Sequence, residues 1–487
     1  MLQFAFTFCI CISLILSCAS TNTEKINNNI FTKIPAYIVA QKSELLNSTR
    51  CREELQNFQT AVDHRMLWSL KDGKTKTNSV LREESKLGNV LMCFSVYRNT
   101  KEIFSTKLDT DAIPVIHSLK FLSMVIIIFY HYFVYTWDSI DNKVWTWNIF
   151  DKYFSFLINF IPLSVDVYFF SSGCLVTYLY LRNRTDKKLS KSIQCKENLI
   201  EFFIYIIKRF TRLTPAYMTA LILWQLSSTW FEKTSQFYTY ERGHEMCPKY
   251  WWRNLLYINN FFSFDTMCMK WSWYLANDMQ FYIIAVILLI LSTTLSEINR
   301  MIDIMYDKPW MRINPYIIGM ISGYILKKLN NNLALKKKII ILCWCLVIVV
   351  DIYVLRYQRH MSILSTAVYM TLFRILWATS IAWIVITCTK NGGILNKLLS
   401  FKGWIPLSRL TYCAYLLNPI IIQSITLYSN NAIHYEVLLQ IVMCLGYILI
   451  IYLCSYVLSL LVEIPYISLT RLFIRYFRYA KGTSKVL

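Results

Sequence analysis

Two residues that can do chemistry sit in one apolar stretch, "HSLKFLSMVIIIFYHYF" at 117–133: a cation, Lys120, and a titratable imidazole, His131. Eleven helical steps of about 100° bring them to nearly the same face, about 16 Å apart along the axis. A charge in lipid costs roughly 2.5–3.5 kcal/mol at a helix centre, so such residues mark cavities, pathways or catalytic groups. A histidine there can act as a general base, and a lysine beside it can stabilise developing negative charge. The next apolar stretch, "SVDVYFFSSGCL", adds Asp166, whose carboxylate needs a cation; His131 and Lys120 are its natural partners, and a purely structural ion pair is the alternative. "KRFTRLTPAY" then crowds Lys208, Arg209 and Arg212 into a turn and a half where apolar sequence begins. Three cations there suit phosphate groups, although a positive-inside anchor has the same composition. Arg374, Asp351 and Glu463 are further polar residues in or beside apolar runs, expected to line a cavity or pair internally.

The elements that must position these residues are membrane helices. Of 487 residues, 55% are hydrophobic and 16% aromatic, and the mean hydropathy is +0.38, which fits a polytopic membrane protein. Runs of spanning length fall near 115–135, 158–180, 213–228, 273–293, 337–355, 364–388, 409–428 and 438–463, with a shorter one at 315–326. The expected fold is therefore an all-α transmembrane bundle of about nine spans. The net charge of +22 lies in short loops beside those spans, so it orients the chain and attracts anionic lipid rather than nucleic acid. No zinc-like Cys/His spacing, P-loop, Rossmann fingerprint or Gly-x-Ser-x-Gly elbow occurs, and no metal is expected.

Charge also sets the topology. The loop 182–212, with nine Lys or Arg, belongs in the cytosol, which places 229–272 in the lumen; there a Cys247–Cys268 disulfide would close a loop of about 20 residues, contributing about 3 kcal/mol. Residues 1–20 read as a signal peptide or uncleaved anchor, and the sequon at Asn47 fits a luminal segment over 21–110. Residues 111–470 form the membrane domain, and 471–487 a basic cytosolic tail. The parity of crossings fails between 212 and the lysines at 327–338, and again before residue 110. Two spans of the architecture are therefore expected to be missing.

Taken in order, "IHSLKFLSMVIIIFYH", "SVDVYFFSSGCLVTY", "RFTRLTPAY", "YWWRNLLYINNFF", "MKWSWYLANDMQFYII", "DKPWMRINPYIIGMISGYIL" and "PLSRLTYCAYLLNP" resemble the membrane-bound acyltransferase-3 family, in particular its animal nose-resistant-to-fluoxetine-like branch. The resemblance implies His131 as catalytic base, Lys120 at the family's basic position (usually Arg), Asp166 as its acidic residue, and Arg209 and Arg212 as its Arg-rich patch. It implies no bound cofactor, with acyl-CoA as co-substrate and membrane lipids as partners; a signal peptide and the lack of a retention motif at "GTSKVL" are compatible with the endoplasmic reticulum or plasma membrane. Asn418 stands in "YLLNP" where the family often shows His. The rival reading is a lipid or drug transporter using the same buried charges, or a family member that folds without catalysing.

Overall fold

The computed structural model describes residues 86–480 except 109–111, 151–154, 188–194, 238–240, 295–312, 329–362, 391–393 and 430. The 337–355 span, Asp351, Asn47 and the proposed signal peptide lie outside the described residues. So do both places where a span is expected to be missing, apart from residues 86–104.

The described residues are helical, as the apolar runs require; their only β-type pairing is an isolated bridge between Ile140 and Ile433. Four helical stretches are long and apolar enough to cross a membrane, 114–139, 270–290, 404–428 and 437–476, and 374–389 is a shorter apolar one. In chain order the helices are α1 (Lys86–Cys93), α2 (Val96–Phe104), α3 (Pro114–Thr136), α4 (Lys143–Ile149), α5 (Ser155–Lys187), α6 (Cys195–Thr234) and α7 (Gly243–Leu255). They continue with α8 (Trp273–Thr294), α9 (Asn314–Lys328), α10 (Ile363–Lys390), α11 (Ile394–Leu399), α12 (Trp404–Tyr428), α13 (Val437–Leu458) and α14 (Ile464–Ala480).

The central helix is α12, whose most apolar window is 83% buried. It packs on α3, α6 and α13. The second tight contact is between α5 and α9. There α9 carries Gly319 and Gly323 four residues apart, and a Cβ on either would lie only 2.1 Å from the Phe170 carbonyl oxygen or 2.4 Å from that of Cys174. Glycines at this spacing let two backbones touch in lipid, where packing rather than the hydrophobic effect joins helices. That close approach gives the short "PYIIGMISGYIL" segment its place: it is too short to span unaided and instead lies buried along α5.

Residues 86–104, short of a span, form two amphipathic helices. Arg409 of α12 donates to the carbonyls of Glu102, Ile103 (3.0 Å) and Ser105 (2.6 Å), capping the end of α2 with a cation. Between α13 and α14, residues Ser459–Glu463 form a π turn, and buried Asn99 donates to the Leu460 carbonyl at 3.5 Å. α7 runs back along α6 and is tied to the chain before α8 by a Cys247–Cys268 disulfide.

Candidate functional site

α3 brings Lys120 and His131 to the bundle interior, both partly accessible rather than fully buried. At the His131 end, Nδ1 hydrogen-bonds Asn418 Oδ1 on α12. The direction of that bond follows from local sequence. Pro419, inside the helix, lowers the supply of backbone donors because proline has no N–H, and the carbonyl it leaves is that of Tyr415. Asn418 Nδ2 fills the gap, donating to the Tyr415 and Ala414 carbonyls, each at 3.0 Å. With its amide nitrogen so engaged, the fully buried Asn418 can turn only its oxygen to the imidazole, so Nδ1 carries the proton and Nε2 presents a lone pair. No hydrogen bond engages Nε2 among the described residues. Tyr130 and Tyr135 flank the ring with centroids at 5.8 Å each.

Tyr135 connects this end to the loop between α6 and α7. Its hydroxyl donates to Glu241 Oε1 at 2.9 Å. Burial pushes the Glu241 carboxyl up to about 7, against the Tyr135 hydrogen bond and the charge and backbone amide of Lys270, which favour the ionised form.

The Lys120 end is cationic. Arg209 is committed: it forms an ion pair with Asp278 of α8, donates to Ser172 Oγ at 3.0 Å and lies 4.1 Å over the Tyr282 ring. Arg212, one turn on, is exposed, and Lys120 lies within electrostatic reach of Arg212, Arg209 and Asp278. No hydrogen bond or ion pair engages the Lys120 ammonium or the Arg212 guanidinium among the described residues. Buried Glu463, held by Cys413 Sγ at 3.2 Å and Ser459 Oγ at 3.0 Å, acts on Arg212 from a longer distance. Lys208 faces outward on α6.

The expected site residues are thus divided. Lys120 sits with the arginines, a helix's half-length from His131. Asp166 was expected to pair with His131 or Lys120; it pairs instead with Arg374 of α10 at 4.0 Å, because α5 turns that face toward α10, and Asn418 takes over the imidazole. Arg209, expected to hold phosphate, is found paired with Asp278. Sequence reading passed over Asp278 and Glu241. Asp278, in "SWYLANDMQFYII", carried the same signal as Asp166, a carboxylate within an apolar run; Glu241 carried none, since its burial depends on a loop folding onto α3. Among the described residues no group of three or more His, Cys, Asp or Glu could hold a metal.

The model of a family described as an acyltransferase domain, acyltransferase-3, matches residues 113–460, which include Lys120, His131, Asp166, Arg209, Arg212, Asp278 and Asn418. The chain is 29% identical over 422 residues to nose resistant to fluoxetine protein 6 of Caenorhabditis elegans, covering 72% of this chain and 50% of that protein. It therefore spans about half the length of that curated relative. No solved structure matches.

Proposed function

This chain belongs to the acyltransferase-3 family, and from that premise we propose that it moves an acyl group from a cytosolic acyl-CoA to a hydroxyl or amine of a lipid-like or luminal acceptor. The observation that carries this reading is the His131–Asn418 bond, which leaves Nε2 as the basic atom.

Nε2 takes the proton of the acceptor nucleophile as it attacks the thioester carbonyl. The tetrahedral intermediate expels the CoA thiolate, and the imidazolium returns the proton to that sulfur, so free thiol and acylated acceptor leave. The Asn418 oxygen keeps Nδ1–H in place and disperses part of the imidazolium charge, though without the full counter-charge a carboxylate would give. At the other end Lys120 and Arg212, which make no ion pair among the described residues, hold the donor's phosphates. The roughly 16 Å between the two ends is then the stretch crossed by the pantetheine arm. Asp166 and Arg374 hold α5 to α10, and Arg209 with Asp278 holds α6 to α8, so that these partners frame the path.

The test is binding and turnover of radiolabelled acyl-CoA by the purified chain. Wild type should bind and release acyl groups, His131→Ala should bind without turnover, and Lys120→Ala/Arg212→Ala should bind weakly. A wild type that neither binds nor turns over acyl-CoA replaces this reading with transport or a non-catalytic role.

A further inference from the structure

Residues 243–272 have the length of a loop, yet their contacts descend α6 step by step. At the top, His244 Nδ1 meets Ser228 Oγ at 3.2 Å and the Cys268 carbonyl accepts from Trp224 Nε1 at 3.0 Å. Lower down, Asn254 Nδ2 donates to the Tyr217 hydroxyl at 2.8 Å. Lowest, the Tyr257 hydroxyl meets Thr214 Oγ1 at 3.2 Å, and its ring packs on Phe210 at 6.1 Å. From Ser228 to Thr214 is fourteen residues of α6, or about 21 Å.

That descent runs inside the spanning part of the bundle. Tyr412, eight residues or about 12 Å from the start of α12, donates to the Leu213 carbonyl at 2.7 Å. Thr214 and Tyr257 are therefore level with the interior of a helix of 25 residues that crosses the bilayer, not with either end of it.

The segment's polarity is sorted accordingly. Asn254 and Asn259 are buried and donate to Ser272 Oγ at 3.1 and 3.0 Å; Asn260 reaches Asn277 at 2.7 Å; and Gln280 Nε2 caps the Tyr257 carbonyl at 2.9 Å. Trp251, Trp252, Leu256, Phe261 and Phe262 instead face outward, 37–61% exposed. The cation on this stretch, Arg253, is covered by the Tyr250 and Phe262 rings, 3.8 and 3.7 Å from its guanidinium carbon. Irregular backbone is tolerated at membrane depth only where protein satisfies its polar groups, and here α6 and α8 do so.

We propose that residues 243–272 form a re-entrant hairpin, entering from the luminal side, closed at its mouth by the Cys247–Cys268 disulfide, with the outward aromatic face of 251–262 seated against bilayer hydrocarbon. Its tip, Tyr257 to Asn260, lies beside the Arg209–Asp278 pair and props α8 against α6. This holds whether or not the chain transfers acyl groups.

Wild-type chain in phosphatidylcholine vesicles, photolysed with a hydrocarbon-soluble aryl diazirine, should carry adducts on the peptides covering 251–262 as it does on α13. Spin labels on Trp252→Cys and Phe261→Cys should collide more with oxygen than with a water-soluble nickel chelate, the reverse of labels on Glu245→Cys and Asn431→Cys. Absence of adducts over 251–262 when α13 is labelled, or nickel collisions at 252 and 261 equal to those at 431, would overturn the hairpin in favour of an aqueous luminal loop.

Discussion

The two ends of α3 solve opposite problems with the same helix. At Lys120 the protein gathers cations, and among the described residues Asp278 and the more distant Glu463 do not balance Lys120, Arg209 and Arg212. At His131 it gathers neutral groups, an amide and two phenols, and fixes a tautomer rather than a charge. An excess of cations suits an anion, and an imidazole with one nitrogen held and the other open suits proton transfer. The difference teaches that a shared helical face, read from an eleven-residue spacing, can hold two unlike environments about 16 Å apart; under the proposed function the one would bind and the other would do chemistry.

The sharpest way to break the comparison is His131→Ala. If the two ends divide the work, turnover should fall by about 10²- to 10⁴-fold while acyl-CoA affinity stays within about twofold of wild type, read by turnover and equilibrium binding on the same preparation. Loss of affinity of the same size as the loss of turnover would show that the ends are not separate.

Arg209 and Arg212, one turn apart, sharpen the cationic side. Arg209→Ala strands the largely buried Asp278 and should destabilise the protein by about 3 kcal/mol, seen as a lower unfolding temperature in detergent. Arg212→Ala removes an exposed guanidinium and should leave that temperature within a degree or two. Its effect should be on the donor, a roughly tenfold weaker acyl-CoA affinity if a charged hydrogen bond is lost. Lys120→Ala should resemble Arg212→Ala in kind. Equal loss of stability in all three would make the cluster structural.

Asn418→Ala probes the neutral side more gently. It removes the acceptor that holds Nδ1–H, and a hydrogen bond of about 1 kcal/mol corresponds to roughly fivefold in turnover. Asn418→Asp restores an acceptor but turns a second oxygen toward the Tyr415 and Ala414 carbonyls, so the rate should exceed that of Asn418→Ala while the unfolding temperature falls; a merely structural Asn418 would lower stability without any such recovery of rate.

Much of this was legible in the residues themselves. The apolar runs marked the helices because lipid leaves few alternatives, and the lone charges in them marked the site because each is costly. Pairing was less legible: Asp166 could be matched to any cation within reach, and only the α5–α10 contact selects Arg374. Equally hidden was the depth at which α9 sinks against α5, which is set by the missing side chains of Gly173, Gly319 and Gly323. Asn418 looked like a departure from a histidine pattern; its role emerged once Pro419 was seen to free a carbonyl on the same helix. Glu241 was hidden because no local pattern says that a loop glutamate will be covered.

Glu241 also offers the smallest predicted effect, one that joins the neutral end to pH. Its carboxyl, ordinarily near 4.5, is raised to about 7 in the folded protein. Between those values the folded state holds more protons than the unfolded state, so stability is greatest below about 4.5 and declines as pH rises toward 7. Glu241→Gln should remove this part of the slope, giving unfolding temperatures that change less between pH 5 and pH 7 by roughly the width expected of one group. Tyr135→Phe keeps the carboxyl but deletes the hydrogen bond that favours its ionised form. The declining window should then extend to higher pH in Tyr135→Phe and vanish in Glu241→Gln. If both variants keep the wild-type profile, the slope belongs to other groups and Glu241 is not the link between Tyr135 and the loop chemistry.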